Sequence, residues 1–385
     1  KQAVVLEAGE PGWGASGRNG GQVNPGWKIL PSEMAARYGP ERGGRIARMA
    51  DGTCDLVFSL IDRFAIACDA VRPGYVQGGF GRRGYRMLDS WTREWSALGA
   101  EVALLDGPAL AELIGTERYE VGMLDARGGN LQPLSYARGL ARAAIGLGAR
   151  ICGDTRATTI ERQGAGWRVG TARGTVDAGQ VLLGSNGYTD RLWPGLRQTV
   201  VPVPSFIIAS EPLGQNTRQS VLPGGHAVSE TRRLQVYYRF DRDGRFLIGG
   251  RGNAFDVQQS GPVAHLRAEA HRLFPQLPDL RWDFSWGGYV AITPRHAPKL
   301  MRLAPGVFAG LGYNGRGVAM ATMMGRQLAL AAQGEDPDMA IEEPSPIPLH
   351  AVRQAGISWT LLTGRWLDGL DRLRRAEARD GGRKA

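Results

Sequence analysis

The chain has 385 residues, 43% of them hydrophobic, with a formal net charge of +10 and three cysteines. That length suits two domains, and no uncharged apolar run reaches the ~18 residues needed for a membrane-spanning helix. Cys54, Cys68 and Cys152 show neither metal-ligand spacing nor a disulfide framework, and nucleic-acid binding is not expected, because the positive charge comes almost entirely from arginines that are scattered until the tail "DRLRRAEARDGGRKA".

In chain order, "AVVLEA" (3–8) reads as a short, buried parallel strand. A glycine-rich loop follows over 9–28, then helical spacing over 32–68. "GYVQGGFGRRGYRML" (74–88) reads as a hairpin. "DSWTREWSALGA" (89–100) reads as a helix capped by Asp89 or Ser90, and "GPALAELIG" as a further short helix. A loop, a helix and a return to strand occupy 128–151. The segment 155–184 alternates as a three-strand meander ending in the apolar "QVLLG". Residues 200–286 are strand-rich, with a hairpin over 234–252 turning at Asp243-Gly244 and one helix, "AHLRAEAHRLFPQL". Residues 306–334 read as strand, glycine turn and helix, followed by a helical tail. The chain begins with Lys1 rather than methionine, and an upstream segment is expected.

Three stretches carry chemistry. Glu7 ends the first strand; in a dinucleotide-binding βαβ unit a strand-end carboxylate accepts hydrogen bonds from ribose hydroxyls, with a glycine fingerprint ~20 residues earlier. Taken singly, such a glutamate is equally at home as a plain strand terminus. "GWGASGRNGG" (12–21) holds five glycines in ten residues, which lets main-chain N–H groups approach a ligand closely. Arg18 is suited to a pyrophosphate, and Asn19 and Gln22 to a polar ring edge. "GLGYNGRGVAMATMMG" (310–325) turns on glycines into a helix opening at Val318, and a helix N-terminus offers free N–H groups and a positive dipole end to an anion. A solvent loop and an ordinary strand-turn-helix are the plainer readings of the last two.

Together, "VVLEAGEPGWGASGRNGGQVNPGWK", "GGNLQPLSYARGLARAA", "SNGYTDRLWP", "VPVPSFIIASEPL", "RFLIGGRG" and "GLGYNGRGVAMATMMGRQLA" resemble the superfamily of flavoprotein amine and amino-acid oxidases that includes D-amino-acid, glycine and sarcosine oxidases, and most closely its γ-glutamylputrescine oxidoreductase-like branch. The resemblance runs over about residues 1–350. It implies an α/β and α+β fold: a Rossmann-like FAD-binding domain over 1–72, 133–200 and 287–345, lacking its first strand and helix here; a mixed-sheet substrate domain over 73–132 and 201–286; and a C-terminal helical tail over 346–385. It places Glu7 at the adenosine ribose and the loop Ala15, Ser16, Gly17, Arg18, Asn19, Gly20, Gly21 and Gln22 around the pyrophosphate and flavin. It places Ala157 and Thr158 at the adenine, Asn186 and Gly187 beside the dinucleotide, and Gly312, Tyr313, Asn314, Gly315, Arg316, Gly317 and Val318 at the flavin pyrimidine edge. The missing G-x-G-x-x-G fingerprint is expected within the ~30–45 residues that precede Lys1.

The activity implied is hydride transfer from a C–H beside nitrogen to flavin N5, giving an imine that hydrolyses, with O₂ reduced to hydrogen peroxide; the protein supplies position and field. Lys28 is the candidate cation for O₂ reduction. Tyr238, Trp286, Tyr289 and His296 are the candidate substrate-side groups, with Tyr237, Arg239 and Arg295 nearby. No metal is expected, and no cysteinyl-flavin bond, because the C-terminal glycine segment has no cysteine; the FAD is expected to be non-covalent. The partners expected are a small amine or amino acid and O₂ or another acceptor, with a cytoplasmic location. The rival readings are an amine or amino-acid dehydrogenase serving a quinone or other carrier, an RNA-associated flavoprotein and a non-catalytic remnant.

Overall fold

The computed structural model describes residues 2–251, 263–359 and 363–364. The expected C-terminal tail lies largely outside these residues, as does the last position of the 234–252 hairpin. The fold is mixed α/β, and the chain divides into two discontinuous compact units. The first comprises the chain up to Val71, Asn130–Val203 and Gly288–His350. The second comprises Arg72–Gly129, Pro204–Gly287 and the described residues from Ala351 on.

In the first unit, Val4–Leu6 pairs in parallel with Arg150–Cys152, the helix Pro133–Gly146 lying between them in sequence. Expected to be buried, this strand leaves Val5 46% exposed, because it has a single strand neighbour among the described residues. Ala157–Gln163, Gly166–Thr171 and Gly174–Ala178 form the meander. Its expected last strand belongs elsewhere: Val181–Leu183 is a fourth strand and pairs in parallel with Val307–Leu311. The physical reason is burial, since Val181 packs in one cluster with Val307, Trp167 and Val169. Three consecutive helices, Pro31–Tyr38, Pro40–Asp51 and Thr53–Arg63, fill the helical stretch. The first break falls at Gly39, in the positive-φ region at 80°, where a side chain would be strained. Cys54, Val57 and Ile61 then pack against Val23, Val318 and Ala319, which ties the third helix to both glycine segments.

The second unit is built on an eight-stranded sheet. Its order is Trp282–Ile292, Val201–Pro212, Arg245–Arg251, Val236–Phe240, Ala227–Glu230, Tyr75–Gly79, Val121–Asp125, Val102–Asp106. Tyr75–Gly79 runs parallel to Ala227–Glu230 and antiparallel to Val121–Asp125. The two-residue side-chain period of a strand sorts the faces. Val76, Phe206, Ile208, Val236, Tyr238, Phe246 and Ile248 enter a core closed by Leu266, Ala270 and Leu273 of the helix Ala264–Leu273. Ile207, Ala209 and Leu247 occupy the opposite face with Tyr237 and Trp286.

The hairpin expected over 74–88 is a strand followed by a helix, Gly81–Ala97. Gly81, at φ 59°, turns the chain, and Gly84, Leu88, Trp91 and Trp95 then line one buried helical stripe. Asp89 is therefore mid-helix, paired with Arg93 one turn on, and is not a cap. The expected short helix forms over Gly107–Ile114: Asp106 accepts from the Ala109 N–H at 2.9 Å, and Gly115 closes the end in the left-handed region.

Candidate functional site

The first unit brings its glycine segments together. Gly12, at φ 90°, and Gly17 form the tight part of the first loop. A Cβ on Gly17 would stand 2.2 Å from the Gly12 carbonyl oxygen, and one on Gly12 would stand 2.6 Å from Leu134. Ala15–Arg18 is a single helical turn. Asn19 stitches the loop to itself: its Nδ2 donates to the Ala15 and Ser16 carbonyls at 3.0 and 2.9 Å, and its Oδ1 accepts the Gly21 N–H at 2.8 Å. Arg18 donates Nε to the Trp13 carbonyl at 2.7 Å and lays its guanidinium over the Trp13 ring at 4.9 Å. The polar side chains of the loop thus shape the backbone from within. Gly21 O accepts from Leu131 N–H at 2.8 Å, after which Gln22–Val23 enters a short strand.

The second segment is held just as firmly. Gly312, at φ 84°, donates its N–H to Asn186 Oδ1 at 2.9 Å, and a Cβ there would collide with Thr293 at 2.2 Å. Asn314, at φ 53° and 2% exposed, accepts the Thr293 N–H at 2.9 Å and donates to Thr293 Oγ1 at 3.0 Å and to the Gly312 carbonyl at 2.5 Å. Tyr313 is buried, its hydroxyl on the Gly310 carbonyl at 2.9 Å. Arg316 reaches across and donates Nη1 to the carbonyl of Pro25 in the first loop. Lys28 Nζ stands 3.7 Å from the position a Gly315 Cβ would take. The helix Gly317–Gln333 then begins, its first amide bond running from Met320 N–H to Arg316 O, so Gly317, Val318 and Ala319 precede the first donor satisfied within the helix.

The remaining expected residues of this unit have defined places. Glu7 accepts Gly9 N–H on its carboxylate at 3.1 Å, while its backbone links Cys152 and Thr155. Ala157 opens the meander; the ladder shifts between Ala157 and Thr159, leaving Thr158 exposed with its hydroxyl on the Gly170 carbonyl at 3.2 Å. Asn186 sits at φ 45°, and Gly187 lies so close to Tyr289 that a Cβ would be 2.8 Å from its carbonyl oxygen. Tyr289 stacks edge-on with Tyr188 at 5.5 Å, and Tyr188 with Trp13 at 5.8 Å. His296 is exposed, its N–H turned back onto the Thr293 carbonyl. Trp13, Pro25, Leu134 and Thr293 complete this constellation, and sequence reading missed them. They act through a ring face, a main-chain oxygen and van der Waals contact, none of which leaves a motif.

In the second unit, Tyr238 lies at 1% exposure in the apolar core, with its hydroxyl on that of Tyr119 at 3.1 Å. Tyr119 in turn donates to Glu230 at 3.2 Å. Burial drives the Tyr238 and Tyr119 pKa values up, so both phenols stay protonated. Its neighbour Tyr237 takes the opposite sheet face with Trp286. Arg239 is buried and donates to the Phe240 carbonyl at 2.9 Å.

A profile of the FAD dependent oxidoreductase family (DAO) matches residues 1–331. The chain belongs to this family. Among curated relatives, it is 32% identical to the "Probable oxidoreductase OrdL" of Haemophilus influenzae over 90% of this chain and 81% of that protein. It is 30% identical to "Gamma-glutamylputrescine oxidoreductase" of Escherichia coli over 86% of this chain and 78% of that protein. Among solved structures, a glycine oxidase from Geobacillus kaustophilus shares the fold with a TM-score of 0.73 at 21% identity, covering 89% of this chain and 92% of that one.

The geometry of this family member suits FAD. Asn24 Oδ1 and Trp27 Nε1 are buried without a hydrogen-bond partner among the described residues. They lie in the stretch between Gln22 and Lys28, alongside the free amides at 317–319. A flavin pyrimidine edge, which both donates and accepts hydrogen bonds, matches a mixed set of this kind.

Proposed function

We propose that the protein is an FAD-dependent amine or amino-acid oxidase whose first unit holds the cofactor. The observation that carries the cofactor assignment is the junction of two segments nearly three hundred residues apart, Arg316 on the Pro25 carbonyl and Lys28 beside Gly315. Bound there, FAD supplies a two-electron acceptor for a C–H bond beside nitrogen. The chain's own residues do the rest. The amides of 317–319 and the helix dipole favour negative charge on the ring edge. Glu7 presents a carboxylate to ribose hydroxyls. Lys28 holds a positive charge where O₂ would be reduced to hydrogen peroxide. A neutral amine needs no strong protein base to give up hydride, in keeping with a first unit whose candidate His296 faces solvent.

Amine substrates are supported by the name of the Escherichia coli relative, and non-covalent attachment by the absence of cysteine from 306–334. The experiment is anaerobic addition of a panel of small amines and amino acids to the FAD-loaded protein, followed by air. Bleaching of the flavin bands and their return with stoichiometric peroxide is expected. Flavin that no amine bleaches defeats the substrate reading, and return only with an artificial acceptor makes the protein a dehydrogenase.

A further inference from the structure

The sheet of the second unit has a seam. Strands from the 201–251 part of the chain meet strands from the 75–125 part where Ala227–Glu230 lies parallel to Tyr75–Gly79, with Ala227 opposite Tyr75 and Glu230 opposite Gly78. Along it, Tyr75 pairs its hydroxyl with Ser229, and the Thr231 N–H donates to the Gly78 carbonyl at 3.0 Å. At the end where both strands begin stands His226, 6% exposed. Its imidazole donates to the carbonyl of Pro73, two residues before the partner strand. Nδ1 is buried without a hydrogen-bond partner among the described residues, so the donated proton sits on Nε2. The Nδ1 edge is pressed against Gly224, where a Cβ would stand 2.6 Å from that nitrogen. The turn beneath it is fixed by the Gly225 N–H on the Leu222 carbonyl at 2.9 Å, with Gly225 at φ 66°. A second proton, on Nδ1, would therefore face no acceptor. The charged groups around the seam are engaged elsewhere: Arg72 donates Nε to the Arg127 carbonyl at 3.2 Å, Arg127 pairs with Asp125, and Glu230, at the other end of the strand, pairs with Arg232. Loss of solvent is the main influence on the imidazole, and it holds the His226 pKa below the usual histidine value.

We propose that His226 is an acid-sensitive pin on this seam: protonation drives the imidazole out of its pocket, and the first rungs between Ala227–Glu230 and Tyr75–Gly79 open while the rest of the sheet stays closed. A buried cation without a partner is costly, and local opening removes that cost by returning the ring to water. Histidine is the side chain whose ordinary titration falls in this range. Because the folded-state value lies below the unfolded value of about 6.5, the seam has its full stability above that pH. It loses stability as the pH falls through the folded-state value, the opening constant rising by at most about tenfold per pH unit for one proton.

The test is amide hydrogen exchange of the full chain read by mass spectrometry from about pH 7.5 to about pH 5, across the histidine range, with the intrinsic pH dependence of exchange divided out. In the wild type, peptides covering 74–79 and 226–230 are expected to lose protection by about tenfold or more over that window, while the strand Arg245–Arg251 keeps its own. His226→Gln, which retains a donor for Pro73 but does not titrate, is expected to show a flat profile at the seam, and so is His226→Phe, a second variant without a titrating group. Protection that falls in either variant as it does in the wild type assigns the response to another group, Glu230 first among them because burial pushes its carboxyl above the usual range, and overturns the proposal. Protection that falls equally in Arg245–Arg251, or that stays flat at the seam of the wild type, overturns it as well.

Discussion

Asn19 and Asn314 do at the residue scale what their motif positions do not announce. The Asn19 carboxamide is spent within its own loop, on Ala15, Ser16 and Gly21, and that of Asn314 on Gly312 and on Thr293 from outside its loop. The main chain is thereby held in one shape. Gly17 is needed for the same reason, with no room for a Cβ against Gly12 O. Gly17→Ala is expected to cost about 1–3 kcal/mol through forced overpacking, read as FAD affinity weakened by about one order of magnitude or more in equilibrium dialysis. Lys28 allows a sharper separation. Lys28→Met is expected to slow reoxidation of the reduced enzyme by O₂ by about tenfold or more, as loss of a positive charge beside the acceptor implies. The rate with a large artificial acceptor should hardly change, and stopped-flow absorbance distinguishes the two.

At the scale of elements, legibility followed the locality of the signal. The hairpin Val236–Phe240 and Arg245–Arg251 was readable because Asp243-Gly244 sets its turn, with Gly244 at φ 78°. The helix Gly81–Ala97 was not, because its first residues are glycine and arginine and its buried stripe, from Gly84 to Trp95, begins with a glycine. What makes it a helix is the wall it meets: Gly79 and Thr231 crowd Gly84, each about 3.1–3.2 Å from a hypothetical Cβ. The strand Ala227–Glu230 ends in a buried carboxylate that joins Arg232, Tyr119 and the Val236 N–H, and Arg232 carries the link on to Glu269 of the helix Ala264–Leu273. Glu230→Ala leaves Arg232 buried and half-paired, and should lower the unfolding free energy by about 3–5 kcal/mol. Urea denaturation measures this loss. A change below 1 kcal/mol, about the worth of a surface pair, would show that the network adds little.

For the whole molecule, buried tyrosines set a limit on alkaline stability. Burial pushes Tyr136 and Tyr237 up to about 12. A phenol that keeps its proton in the folded state beyond the unfolded value of about 10 contributes stability that is complete below pH 10 and lost as the pH rises toward 12. The unfolding free energy is therefore expected to fall by about 1.4 kcal/mol per pH unit for each such tyrosine across that window. Denaturation at stepped pH checks the slope, and ultraviolet titration of the folded protein should show phenols ionising late. By itself, the amino-acid sequence determined the family, the two glycine segments and the strand-end carboxylate, because backbone freedom and close approach demand particular residue types at particular spacings. Only the tertiary structure decided that Tyr237 and Tyr238 face opposite sides of one sheet, that Val181–Leu183 leaves the meander for Val307–Leu311, and that Arg316 clasps Pro25. Each of those depends on which surface a segment buries and on partners remote in the chain, and no local pattern encodes the choice.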